Sequence, residues 1–133
     1  MTFDWGDYLN LATSLAKETV DYDLMKEAKH RTSISRAYYS SFHLAKNYVI
    51  SRGKTVSKGA IIHKQIREIL EDLSSHEMEN NRIEILNKIS NDLQTLRSAR
   101  NKADYDDTVP GIEKLAQASI IRAREINALI QQL

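Results

Sequence analysis

The 133-residue sequence predicts an all-α fold, an up-and-down bundle of four to five helices that forms a single domain over residues 1–133. Three observations predict it. Apolar side chains recur in alternating steps of three and four, the spacing that places them on one face of a helix. Alternating β patterns and Asn-Gly or Asp-Gly hairpin signals are absent. Glycine and proline stand only at joints, as Gly6, Gly53, Gly59, Pro110 and Gly111.

The first helix is expected from about Asp4 to Glu18, with Trp5, Tyr8, Leu9, Ala12, Leu15 and Ala16 on one face. Thr2 suits its N-cap, and Asp4 and Asp7 suit its N-terminal dipole. After the link Thr19 to Asp23, with Asp23 as N-cap, the second helix spans about Leu24 to Arg52. Its apolar line is Ile34, Tyr38, Phe42, Ala45 and Val49, and Gly53 follows as a C′ residue. A second, polar line on it carries Arg36, Tyr39, His43 and Asn47, residues close enough along a helix to reach one another. The loop Ser51 to Lys58 holds cations and no acid, which reads as a solvated connection before it reads as a phosphate contact. The third helix, Gly59 to Leu73, shows Ile62, Ile66, Ile69 and Leu73, and Ser74 with Glu77 reads as a capping box.

The fourth helix holds the anomaly. Its seam runs Leu86, Ile89, Leu93 and Leu96, and the same steps then land on Arg100 and Ala103. A guanidinium on a packing face is costly unless it is paired and hydrogen-bonded. This helix ends in Asp104 to Val109, and Pro110 starts the fifth, which buries Ile112, Leu115, Ala116, Ser119, Ala123, Ile126 and Ile130.

Composition narrows the function classes. Hydrophobic residues make up 41% and charged residues 28%, a globular balance. The formal net charge of +1 supplies no global field for nucleic acid, so such binding needs a local patch. With no cysteine, disulfides and thiolate metal sites are excluded. The N-terminus lacks an apolar signal-peptide region, and no apolar run nears the roughly 20 residues of a spanning helix. A cytoplasmic protein without membrane attachment is expected.

Around Arg100 the chemistry concentrates. Arg97 meets Asn101, and Arg100 meets Asp104, each at a spacing of four, with Tyr105 next. Arg97 also has a plain reading as a cation favoured at a helix C-terminus. For Arg100 two readings stand: a planar fork for phosphate, or an internal clamp on Asp104 or another acid. The histidines His30, His43, His63 and His76 show no metal-ligand spacing, and Asp104, Asp106 and Asp107 read as capping and solvation rather than a cation site. No cofactor is expected. His43 reads as a hydrogen-bonded interface residue before it reads as a base.

Two stretches, RTSISRAYYSSFHLAKNYV (Arg31 to Val49) and LRSARNKADY (Leu96 to Tyr105), resemble the HEPN domain (higher eukaryotes and prokaryotes nucleotide-binding). The opening FDWGDYLNLATSLAKE (Phe3 to Glu18) is similar to the first helix of its compact prokaryotic branch. The resemblance implies a homodimer, a minimal nucleotidyltransferase as partner in a toxin–antitoxin or defence module, and a metal-independent ribonuclease motif of arginine, a polar residue and a later histidine. Arg100 and Asn101 match the start of that motif; at the histidine's place stands Tyr105. Metal-free RNA cleavage needs a base, and a phenol with an ordinary pKa of ~10 is a poor one.

The expected function is therefore RNA or nucleotide-phosphate binding through a groove of Arg36, Tyr39, His43, Arg97, Arg100 and Asp104, with nuclease activity weakened or lost. An active ribonuclease, using Arg100, Asn101 and Tyr105, is one alternative. A non-catalytic interaction bundle is the other.

Overall fold

The computed structural model describes residues 2–18 and 24–133, which form five helices: α1 (Asp7–Lys17), α2 (Lys26–Ser51), α3 (Ile61–Ser75), α4 (Asn80–Tyr105) and α5 (Ile112–Gln131). Among the described residues there is no strand. The expected link Thr19 to Asp23, with its Asp23 cap, lies outside the described residues.

Local chemistry moves several ends from where the pattern places them. α1 starts at Asp7 rather than Asp4, and Thr2 does not cap it. Instead the Asp4 carboxylate accepts the Gly6 N–H at 2.9 Å, which holds the chain in a turn before the helix. α2 closes as anticipated. Gly53 adopts φ +80°, its N–H bonds the Ile50 carbonyl at 2.9 Å, and the Lys54 N–H bonds that of Val49 at 3.2 Å. These paired bonds satisfy carbonyls that the helix end leaves open.

The Ser74–Glu77 capping box does not form. α3 continues through Ser75 and buries Ser74, whose hydroxyl reaches the Ile83 carbonyl on α4 at 3.5 Å. Glu77 instead shapes the turn ahead of α4, which carries no side-chain cap. Its carboxylate accepts the N–H groups of Met78 at 3.0 Å and Glu79 at 3.2 Å, and Arg82 holds its other oxygen at 3.1 Å. α5 begins two residues after Pro110, because Gly111 turns the chain at φ +66° first.

α2 is the central helix, packed against α1, α4 and α5, while α3 lies mainly on α4. Along α2 and α4 the contacts run in opposite order, Arg31 with Ala103 and Tyr48 with Arg82, so the two helices are antiparallel. The link from α2 to α3 is the long one. It climbs back along α3, where Lys54 pairs with Asp72 at 3.8 Å and Ser57 bonds Gln65 at 2.8 Å. That return delivers the start of α3 beside the middle of α2.

The core follows the predicted lines. Tyr38, Phe42, Ala45 and Val49 from α2 meet Leu86, Ile89, Leu93 and Leu96 from α4, with Ile66 and Leu70 from α3 and Ala123 and Ile126 from α5. Ile120 and Leu70 join this core from outside the expected apolar lines. A smaller cluster of Ile34, Ala99, Ala103 and Ala116 sits at the far end of α4. Small side chains at Ala99 and Ala103 let that end of α4 approach its neighbours. Arg100, between them in sequence, lies along α2 with its side chain 14% exposed.

Candidate arginine-lined site

The guanidinium of Arg100 lies 5.1 Å from the centre of the Tyr39 ring and 5.5 Å from that of Tyr105. Its Nη1 donates to the Asn101 side-chain oxygen at 3.0 Å. Its Nε is 2.9 Å from an Asp104 oxygen, yet makes no aligned hydrogen bond, so that contact is an ion pair off the N–H direction. Asp104 in turn accepts the Ser35 hydroxyl at 3.4 Å, which links α4 to α2. Arg100 and Asp104, four apart on α4, thus pair within one helix, while the Nη side of the fork points to Asn101 and the rings.

The arginines nearest to it are not matched by acids among the described residues. Arg36 lies 4.7 Å from the Tyr8 ring centre and 5.2 Å from that of Tyr39, and donates to the Ser35 hydroxyl at 3.3 Å. Tyr39 therefore carries a guanidinium from α2 and one from α4. Arg97, one turn before Arg100, has a buried Nε without a hydrogen-bond partner, as has Arg67 on α3. Among the described residues no carboxylate pairs with Arg36, Arg97 or Arg67. Cationic charge here exceeds its counter-charge, although the chain as a whole is nearly neutral.

A histidine that the sequence reading did not select completes the cluster. His63 enters from α3, with its Nδ1 2.5 Å from the Tyr38 hydroxyl and its ring centre 4.5 Å from that of Phe42 and 6.2 Å from that of Tyr39. Burial, with Arg97 and Arg100 adding to it, pushes its pKa down to about 4, so it is neutral at neutral pH. Burial raises the Tyr38 pKa above the ordinary phenol value, and the phenol keeps its proton. The available signal was position: His63 follows Ile62 and precedes Ile66 by one turn, on the inward side of its helix. Nothing in α3 names Tyr38 as its partner, because that contact is made only when the α2–α3 link folds back.

His43 lies on the α1 side of the site. Its ring stacks on Trp5, with centres 3.6 Å apart and planes within 13°. Burial first, then the charges of Lys46 and Arg36 and the nearby His63, push its pKa down to about 4. Its ring centre is 6.1 Å from that of Tyr39, so it stands at the edge of the cluster, toward α1. Asn47, on the same predicted line, is exposed and outside it.

Arg36, Tyr39, Arg100, Asn101, Asp104 and Tyr105 are brought together, and Arg97 acts through its charge on neighbouring His63 and Tyr38. Such a set attracts oxyanions and offers ring faces; Tyr105 is 72% exposed. Among the described residues no cluster of His, Asp and Glu has the makings of a metal site. No helix of the described chain is long and apolar enough to cross a membrane.

No curated protein and no solved structure matches this chain. The family model of the HEPN domain matches residues 16–133, which takes in all of α2 to α5 and the arginine cluster between them. With a match over most of its length and a helical bundle of the corresponding kind, the chain belongs to the HEPN domain family.

Proposed function

We propose that this protein binds RNA or nucleotide phosphate through the arginine-lined face, and that its nuclease activity is weakened or lost. The family is broadly one of nucleases and RNA-binding proteins. One observation carries the reading: Arg36 and Arg100 both lie over the Tyr39 ring, Arg97 adds its charge at neighbouring His63, and among the described residues Asp104 is the one carboxylate that pairs with any of the three. A phosphodiester supplies the missing negative charge, and an exposed ring such as Tyr105 supplies a face for a base.

The same site lacks a strong base. His43 and His63, both held near a pKa of about 4, hold protons weakly at neutral pH. Neither occupies the place that the ribonuclease motif reserves for its histidine after Arg100. In the working assembly we propose a homodimer whose two arginine clusters face each other, in a toxin–antitoxin or defence module with a minimal nucleotidyltransferase, acting in the cytoplasm.

The test compares wild type with Arg97→Ala and Arg100→Ala for RNA binding, RNA cleavage, melting temperature and mass in solution. Expected are a dimer, salt-sensitive binding without turnover, and for each variant a fall of about 1 in the salt slope at a preserved fold. Metal-free cleavage that Arg100→Ala abolishes would establish the active ribonuclease instead. If neither variant changes binding and Arg100→Ala costs on the order of 3 kcal/mol of stability, the arginines are structural and the proposal fails.

A further inference from the structure

We propose that His63 is a neutral hydrogen-bond donor to the same phosphodiester, presenting its Nε2–H beside Arg97 and Arg100, and that Tyr38 positions it. This rests on the binding function proposed above and adds to it a residue from α3, outside both stretches that carry the family resemblance.

Geometry decides which ring nitrogen holds the proton. Tyr38 is 2% exposed, and its hydroxyl has one hydrogen-bond partner, the Nδ1 of His63 at 2.5 Å. If Nδ1 carried the proton, the phenolic O–H would be buried with no acceptor, which is costly. The phenol therefore donates to Nδ1, and the neutral ring carries its proton on Nε2. Among the described residues that nitrogen makes no hydrogen bond, and it is not fully sealed from solvent. The ring is half-buried and shares the Tyr39 ring as neighbour with the Arg100 guanidinium.

The groups around His63 keep it in this state. Tyr38, Tyr39, Phe42 and His43 face it from α2, while Arg97 and Arg100 act on it from α4. Lys64 and Arg67 neighbour it on α3. None of these is an acid that would hold a second proton on the ring. The site accordingly offers permanent cations together with one uncharged, directional donor. A directional donor fixes where a phosphate oxygen sits, whereas the arginines fix chiefly that an anion binds.

The experiment uses a short oligouridylate with unphosphorylated ends, whose bases and phosphodiesters do not titrate near neutral pH. Binding is measured across salt concentrations for wild type, His63→Leu, His63→Gln, Tyr38→Phe and Arg97→Ala, with melting curves for each. His63→Leu is expected to weaken binding roughly tenfold, as for loss of one hydrogen bond to a charged group. Its salt slope should stay at the wild-type value, because a neutral donor releases no counterion. Arg97→Ala should lower that slope by about 1. His63→Gln should regain most of the affinity through its amide N–H, and Tyr38→Phe should lose part of it. Nitrogen spectra of the wild-type imidazole should show a proton on Nε2, and that signal should move when the oligonucleotide binds.

Wild-type affinity in His63→Leu, no recovery in His63→Gln, or a proton on Nδ1 each overturns the donor role. If Arg97→Ala still loses affinity in that case, the phosphate-binding function stands without it. Unchanged binding in Tyr38→Phe removes Tyr38 as the positioning group. No binding by the wild type removes both proposals. Should His63→Leu fail to fold, the Gln and Phe variants and the wild-type spectra give the answer.

Discussion

At the scale of single residues, two imidazoles that folding keeps neutral make the stability of the fold depend on pH. His43 is pressed against Trp5 and His63 is lodged beside Tyr38, and both pKa values fall from the ordinary 6.5 to about 4. In the unfolded chain these rings take up protons as pH falls below ~6.5, whereas the native ones resist until about 4. The unfolded state therefore binds more protons across that window. Stability should decline as pH falls from ~6.5 toward about 4, and their share of the loss should then level off. Urea unfolding at a series of pH values checks this. His63→Gln should make the slope shallower, and an unaltered slope would mean that His63 is not held neutral by the fold.

At the scale of elements, the end of α4 is held from outside the helix. Arg31 on α2 donates from Nη1 to the carbonyls of Ala103 at 2.9 Å and Asp106 at 2.6 Å, and from Nη2 to that of Asp107 at 3.1 Å. It thereby satisfies acceptors around the last turn that the helix cannot satisfy itself. Asp104 and Tyr105 lie on the same turn, so the Arg100 surroundings depend on a residue that touches none of the rings. Arg31→Ala is expected to cost about 2 kcal/mol. Amide exchange of Ala103 to Tyr105 should quicken well beyond that of the α4 centre at Ile89 and Leu93. Equal quickening along the whole helix would argue against a local clamp. The capping choices at this scale were only partly legible. Gly53 declares a helix end because few residues tolerate its positive φ, whereas Ser74 and Glu77 fit a capping box by spacing and were recruited elsewhere.

At the scale of the whole molecule, α5 is tied to the bundle by a buried acid as well as by its apolar face. The Asp92 side chain on α4 is 9% exposed and meets Arg122 of α5 at 2.8 Å and Lys88 of its own helix at 2.9 Å. Asp92→Ala should cost about 1 to 2 kcal/mol in global unfolding, because charge-assisted bonds to two partly solvated cations are lost. Adding Arg122→Ala to that variant should cost little more, since the interaction is already gone. Fully additive losses in this double-mutant cycle would mean that the two residues act independently. The arginine face and this ion pair obey different rules. Here each cation has an acid, and there Arg36, Arg67 and Arg97 pair with none among the described residues.

The sequence by itself determined the all-α class, the inward-facing lines of α2 and α4, and the anomaly of Arg100 on a packing seam. These follow from helical period and from the cost of burying charge, both of which act within a few turns of one chain segment. Only the tertiary structure decided what Arg100 meets, that Asp4 rather than Thr2 shapes the start of α1, and that His63 joins the cluster at all. Those outcomes depend on contacts between segments far apart in sequence or on competition among nearby hydrogen-bond donors. A ring on α3 reaches Tyr38 because the link after Gly53 runs back up the bundle, and helical spacing carries no record of that path.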